Sequence, residues 1–276
     1  MDSRPLVSVV IPVYNGMPFI HTALDSVLCQ TYPNIEIIVV NNASTDGTKE
    51  FLESVTDSRV RSVHRNELQS ASSNWTQAIA ESRGEFVKLV CADDLISPDS
   101  IEVQVATAML HESCVLVCSR RDIVDPNGKI LKRNHGLEGL SGLISGKKAL
   151  RKCMIAGTNL FGEPAAVLFR GQSIRGCMPW VGELPYLTDL ATYEKVLRGG
   201  DLFALPLSQA SFRLSSTSWS ASILSEQPKQ FIEWRRFMES QGGIRLNPLE
   251  KANAIMQLKV RTIARKLYFK RIQHES

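Results

Sequence analysis

The sequence has no long apolar run. Its two most hydrophobic stretches, residues 7–13 and 35–40, fall far short of the ~20 residues a membrane-spanning helix needs. The N-terminus shows no cationic segment leading into an apolar one, so no secretory leader is expected and the expected location is the cytoplasm. Paired cysteines are missing too: the thiols at 29, 91, 114, 118, 153 and 177 show no C-x-x-C spacing. That argues against a zinc site or a disulfide framework and leaves buried free thiols. Without a leader, the sequon triplets at Asn42 and Asn74 are read as chance. Repeats and low-complexity tracts are absent, and 43% hydrophobic with 22% charged residues is an ordinary globular composition.

Acidic residues are missing from one place. Between Lys251 and His274 the chain carries Lys251, Lys259, Arg261, Arg265, Lys266, Lys270 and Arg271 and no Asp or Glu. The net charge of +4 therefore belongs to this segment, since only 25 basic residues stand elsewhere against 28 acidic ones in the chain. A basic amphipathic helix over 251–272 suits peripheral contact with an anionic membrane, or packing onto the domain with a solvated cationic face. It lacks the aromatic interleaving of a stacking platform, and no nucleic-acid partner is expected.

What is present is an alternation of strands and helices. Residues 6–13 and 36–40 are nearly continuous in apolarity and rich in β-branched side chains, as parallel strands covered on both faces are. Helices are expected over 18–30, 48–55 and 70–82, a third strand over 59–64 and a fourth over 86–90. The turn after the first strand reads P-V-Y-N-G, so the glycine cradle G-x-G-x-x-G of dinucleotide folds is absent.

The fourth strand delivers Asp93 and Asp94 to its carboxyl end, ahead of Ser97-Pro98 and the helix they start. Ligands of open α/β sheets bind at that edge, and two carboxylates there suit a hard divalent cation, Mg or Mn, that also holds substrate phosphates. Simple turn chemistry is the alternative. Beyond 111 the pattern changes: a strand over 115–119, a turn at 125–128, a glycine-rich stretch over 136–146 that reads as a lid or a plain surface loop, a helix over 147–156 and a strand over 165–170. Asp189 stands before a helix over 190–198, as a cap or a catalytic group. Residues 211–220 offer Arg213 and several hydroxyls, a candidate phosphate or sugar wall, and from 226 onward the pattern is helical.

Three stretches together resemble the family 2 glycosyltransferases: V-S-V-V-I-P-V-Y-N, then E-I-I-V-V-N-N-A-S-T-D-G-T, then N-W-T-Q-A-I-A-E-S-R-G-E-F-V-K-L-V-C-A-D-D. The likeness is densest over residues 5–110 and thins out by 220. It implies the GT-A fold, a Rossmann-like α/β/α sandwich over residues 1–220, with a nucleotide-sugar half at 1–110, an acceptor half at 111–220 and a helical extension at 221–276. It also implies an inverting, metal-dependent transfer from a nucleoside-diphosphate sugar to a saccharide or lipid-linked acceptor in surface polysaccharide or glycolipid assembly, at the inner face of the plasma membrane. Carried over by position, Pro12, Tyr14, Asn15 and Asn42 line the nucleoside pocket, Asp93 and Asp94 hold metal and diphosphate, and Asp189 is the general base, with Glu183 and Glu163 as alternatives. Arg213 and Arg65 could hold phosphate oxygens. Asn41-Asn42-Ala43 replaces the family's usual acidic pair and glycine, and Cys91 stands where an Asp commonly leads the aspartate motif. A nucleotidyltransferase would need a cation-bearing glycine loop after the first strand, which is missing. A non-catalytic nucleotide-sugar binder is the other alternative.

Overall fold

The computed structural model describes residues 4–214 and 223–275. Strand β1 (Val7–Val13) is buried at every position, as its unbroken apolar run demands. It pairs in parallel with β2 (Ile35–Asn41) on one side and β4 (Phe86–Leu89) on the other, and β3 (Val60–His64) lies beyond β2. The crossovers are helical. α1 (Ile20–Leu28) turns Ile20, Ala23, Leu24 and Val27 inward at the spacing of one helical face. α2 (Thr48–Ser54) follows β2, and α3 (Ala71–Ala80) starts under the Ser70 hydroxyl, which accepts the Ser73 N–H at 3.2 Å.

The second half adds β5 (Leu95–Ile96), α4 (Ser100–Met109), β6 (Cys114–Val124), β7 (Ile130–His135), β8 (Gly142–Ser145), α5 (Gly146–Ala156), β9 (Val167–Arg170), α6 (Gly171–Gly176), α7 (Thr188–Leu197) and β10 (Asp201–Arg213). Among the described residues one sheet runs β3-β2-β1-β4-β9-β6-β10-β5, with β7 on β6 and β8 on β10. β9 is antiparallel to both β4 and β6 and stitches the halves together. The result is the mixed α/β sheet that the sequence implies. Its two faces carry separate cores: Val7, Val9, Ile11 and Val13 of β1 point into one and Val10 into the other.

Three expectations need correcting. The glycine-rich stretch is not a loose loop, because it contains β8, and Leu137 and Leu140 are buried in the core. Leu137 N–H also donates to Leu160 O at 2.9 Å, so no free lid is present there. β6 runs on to Val124 where a strand over 115–119 is expected. Third, β10 has no counterpart in the sequence reading. Pro206 interrupts the pattern, and in the structure it sits where the pairing with β6 shifts register between Leu205 and Ser208.

The extension consists of α8 (Gln227–Ser240) and α9 (Pro248–Glu275), and it is part of the body. Phe231, Trp234, Met238, Ala254 and Leu258 are buried in the core that α5 and α7 share. At the end of α5, Gly157 takes φ +65°, and a Cβ there would stand 3.0 Å from the backbone of Leu258. Arg151 pairs with Glu250 at 2.6 Å on the same seam. No helix of the described residues is long and apolar enough to cross a membrane.

Candidate active site

Asp93 and Asp94 follow the end of β4 in the turn that leads to β5, at the carboxyl edge of the sheet. Asp94 is 1% exposed. Its Oδ1 accepts the Arg213 N–H at 3.1 Å, while Oδ2 is buried with no partner. A ligand atom of Cys91 and one oxygen of each aspartate lie within 4.8 Å of one another. Burial, then the neighbouring Asp93 charge, pushes the Asp94 carboxyl well above its ordinary range, and burial also raises Asp93. A buried acid with a free oxygen beside a second, half-buried one fits a divalent cation, which would offset the repulsion and satisfy that oxygen. Cys91 does not join them as a ligand to a hard ion. Its sulfur is a soft donor, and burial, then the charges of Asp94, Asp93, Asp189 and Glu163, holds the thiol well above its ordinary value.

That the charges of those four carboxylates are felt at one thiol also shows that the fold gathers them, although Glu163 and Asp189 come from far along the chain. Asp189 lies in the first turn of α7, not before it. It forms no side-chain cap, and its Oδ1 is buried without a partner. Burial, followed by the charge of Glu163 and against the pull of Arg121, pushes it up to about 8. Glu163, the alternative base, is committed elsewhere. Its carboxylate takes Nε and Nη2 of the buried Arg121, the latter at 3.1 Å, and although burial pushes it upward, Arg121 holds it below the ordinary carboxylate range. Glu183 is exposed, with Oε2 accepting its neighbour's Gly182 N–H at 3.2 Å.

The candidate nucleoside wall is set by two loops laced together. Asn15 N–H donates to Ser44 Oγ at 2.9 Å, Thr45 N–H to Asn15 Oδ1 at 2.9 Å, and Met17 N–H to Asp46 Oδ2 at 2.9 Å. Asn15 has φ 49°, a left-handed conformation that Asn tolerates. Tyr14 is 49% exposed, two residues after the buried Pro12. Asn42 is less available. Its amide clamps Gln69, donating to Gln69 O at 2.9 Å and accepting Gln69 N–H at 3.0 Å, which leaves one Oδ1 lone pair for a base.

Arg213 differs from its expected role. It is 5% exposed, and its donors go to Asp93 O at 2.9 Å, Asp125 O at 3.2 Å and Pro126 O at 2.8 Å, with the guanidinium 4.6 Å above the Phe19 ring. A guanidinium spent on backbone carbonyls holds the aspartate turn, and this geometry runs against its holding phosphate. Residues 215–220 of the expected wall lie outside the described residues. Arg65 is closer to what the sequence implies: it donates to Ser73 O at 3.1 Å, while its Nε is buried and unpartnered. Arg121 was not anticipated. Its only signal is an Arg pair in a strand whose first five residues are apolar.

The comparisons with known proteins meet this geometry. The model of glycosyl transferase family 2 matches residues 8–174, more than half of the chain. The chain belongs to that family. Among curated relatives of this glycosyltransferase, a putative teichuronic acid biosynthesis glycosyltransferase, TuaG of Bacillus subtilis, is 28% identical over 86% of this chain and 92% of its own length. An uncharacterized glycosyltransferase of Rickettsia bellii is 36% identical over 46% of this chain, a match that spans only 19% of that relative. Of solved structures, S. aureus TarS (residues 1–349) in complex with UDP-GlcNAc superposes with a TM-score of 0.64 at 18% identity, covering 91% of this chain and 79% of that one. The mannosyltransferase PcManGT of Pyrobaculum calidifontis, in complex with GDP-Man and Mn2+, gives 0.63 at 18% identity over 93% and 70%. At that identity the likeness is one of fold, the GT-A fold of the resemblance. A nucleotidyltransferase finds no support in these matches.

Proposed function

We propose that the chain transfers a sugar from a nucleoside-diphosphate donor to a hydroxyl of a saccharide or lipid-linked acceptor, with inversion at the anomeric carbon, in the assembly of a cell-surface polysaccharide or glycolipid at the cytoplasmic face of a membrane. The observation that carries the reading is the unpartnered buried oxygen of Asp94 beside Asp93, next to a thiol, Cys91, that feels the charge of Asp189 as well. Asp93 and Asp94 would hold a divalent cation, Mg or Mn, which when bound neutralises charge that grows on the departing diphosphate. Tyr14, with Pro12 and Asn15, offers a face for the base, and Arg65 has a donor to spare for phosphate. Asp189 takes the proton of the attacking hydroxyl. Arg121, locked to Glu163, supplies the positive charge that opposes the burial of Asp189 and keeps its ionised form within reach. The assembly role leans on the TuaG likeness, which spans most of both chains.

The test is calorimetric titration of the common nucleoside diphosphates, with and without manganese, into the native chain and an Asp93→Ala, Asp94→Ala double variant. One nucleotide should bind only with metal present, and the double variant should lose it. Absence of binding to any nucleotide would refute the donor site and leave a family 2 fold without the chemistry. Binding with no turnover of any donor sugar would instead favour the non-catalytic binder.

A further inference from the structure

The longest helix wears its apolar residues on both sides. Along α9, Ala254 and Leu258 are 0% and 5% exposed and pack against α5, as the inner face of an amphipathic helix should. On the outside, Leu249, Met256, Val260 and Ile263 are 83%, 56%, 57% and 59% exposed. Their spacing of seven, four and three residues places all four on one stripe opposite the packed face, about 21 Å long at 1.5 Å per residue. Scattered exposed apolar residues need no explanation, whereas a straight row of four on a helix already packed on its other side does.

The charges around that row narrow the occupant. Lys259 is exposed on its flank, and the same spacing continues in the sequence as Lys266 and Lys270. No acid occurs from Lys251 to His274. A second copy of this helix would meet the row with cations against cations, where helical seams that pair with themselves flank the apolar row with opposite charges. Lys259 beside the row has a stem that can lie along apolar surface while its ammonium group reaches outward. Apolar stripe, cationic flank and absent acid are the features of a helix that lies in the plane of a bilayer.

We propose that the outer stripe of α9, Leu249, Met256, Val260 and Ile263 with Lys259 beside it, is a docking surface for an anionic lipid bilayer. The surface does not depend on the transfer chemistry, and its occupant is the lipid headgroup layer together with the first few carbons beneath it.

Sedimentation of the full chain with vesicles tests it, comparing phosphatidylcholine alone with phosphatidylcholine containing a third phosphatidylglycerol. The native chain should sediment with the anionic vesicles at least tenfold more than with the neutral ones, and added salt should weaken the association. Met256→Ser, Val260→Ser and Ile263→Ser combined should lose at least tenfold of that binding while keeping the melting temperature and the nucleotide affinity, since all three side chains face solvent. Equal binding by this variant, or no binding by the native chain, overturns the proposal. So does a native dimer in analytical ultracentrifugation that the triple variant abolishes, because the stripe then belongs to a second copy. Nucleotide titration of the same samples keeps failure here separate from failure of the donor site.

Discussion

An ionised Asp189 is what the proposed reaction needs, and a protonated one is what the empty protein favours at neutral pH, with its carboxyl pushed up to about 8. The linkage has a definite sign. Between the ordinary value of 3.8 and about 8 the native state keeps a proton that the unfolded chain has lost, so this residue subtracts from stability progressively as pH climbs through that window. Asp189→Asn should therefore abolish nearly all transfer, by roughly 10²–10⁴-fold for loss of a general base, while raising the melting temperature. The gain should be small at pH 5 and larger at pH 8. Thermal scans at the two pH values check it, and a gain that does not grow with pH would mean that Asp189 is ionised in the free protein.

At the scale of elements, the first strands were legible as unbroken apolar runs and the helices between them by their one-sided period, with turns that carry the expected Asn, Ser and Gly. The second half was harder to read for physical reasons. β8 is four residues inside a glycine-rich stretch, and it is a strand because β10 lies beside it, a partner some sixty residues away that no local propensity announces. β10 hides behind Pro206, and the Arg121–Glu163 pair joins positions 42 residues apart. Arg213 stands where the sequence put it, yet its task depends on which carbonyls surround it, and those come from two separate turns, at Asp93 and at Asp125-Pro126. Gly157 offers a test of one junction. Its φ of +65° and the 3.0 Å approach to Leu258 make Gly157→Ala strained in conformation and in space, so the variant should lose about 1–3 kcal/mol in urea unfolding. A loss below a few tenths would show that α9 can shift away from α5 at little cost.

At the scale of the whole molecule, the helical extension and the sheet share a core. Phe231, Trp234, Met238, Ile244, Leu246 and Leu258 are all at most 5% exposed within it. Burial of each such side chain contributes about 1.5–3 kcal/mol, so their sum rivals the whole net stability of a typical domain, about 5–15 kcal/mol. A chain ending at residue 222 should accordingly show no cooperative unfolding transition by circular dichroism, whereas an autonomous sheet domain would retain one.

One contact gives that shared core a further meaning. Arg265 reaches from α9 to the Tyr186 hydroxyl at 2.6 Å, three residues before Asp189. If the outer stripe rests on a bilayer as proposed, this contact would help set how high the proposed base rides above the lipid. An acceptor anchored in that bilayer would then be chosen by length. Too short a stem would leave its terminal sugar below the site, and too long a one would carry it past, so the enzyme would measure its substrate against the membrane as a gauge measures depth.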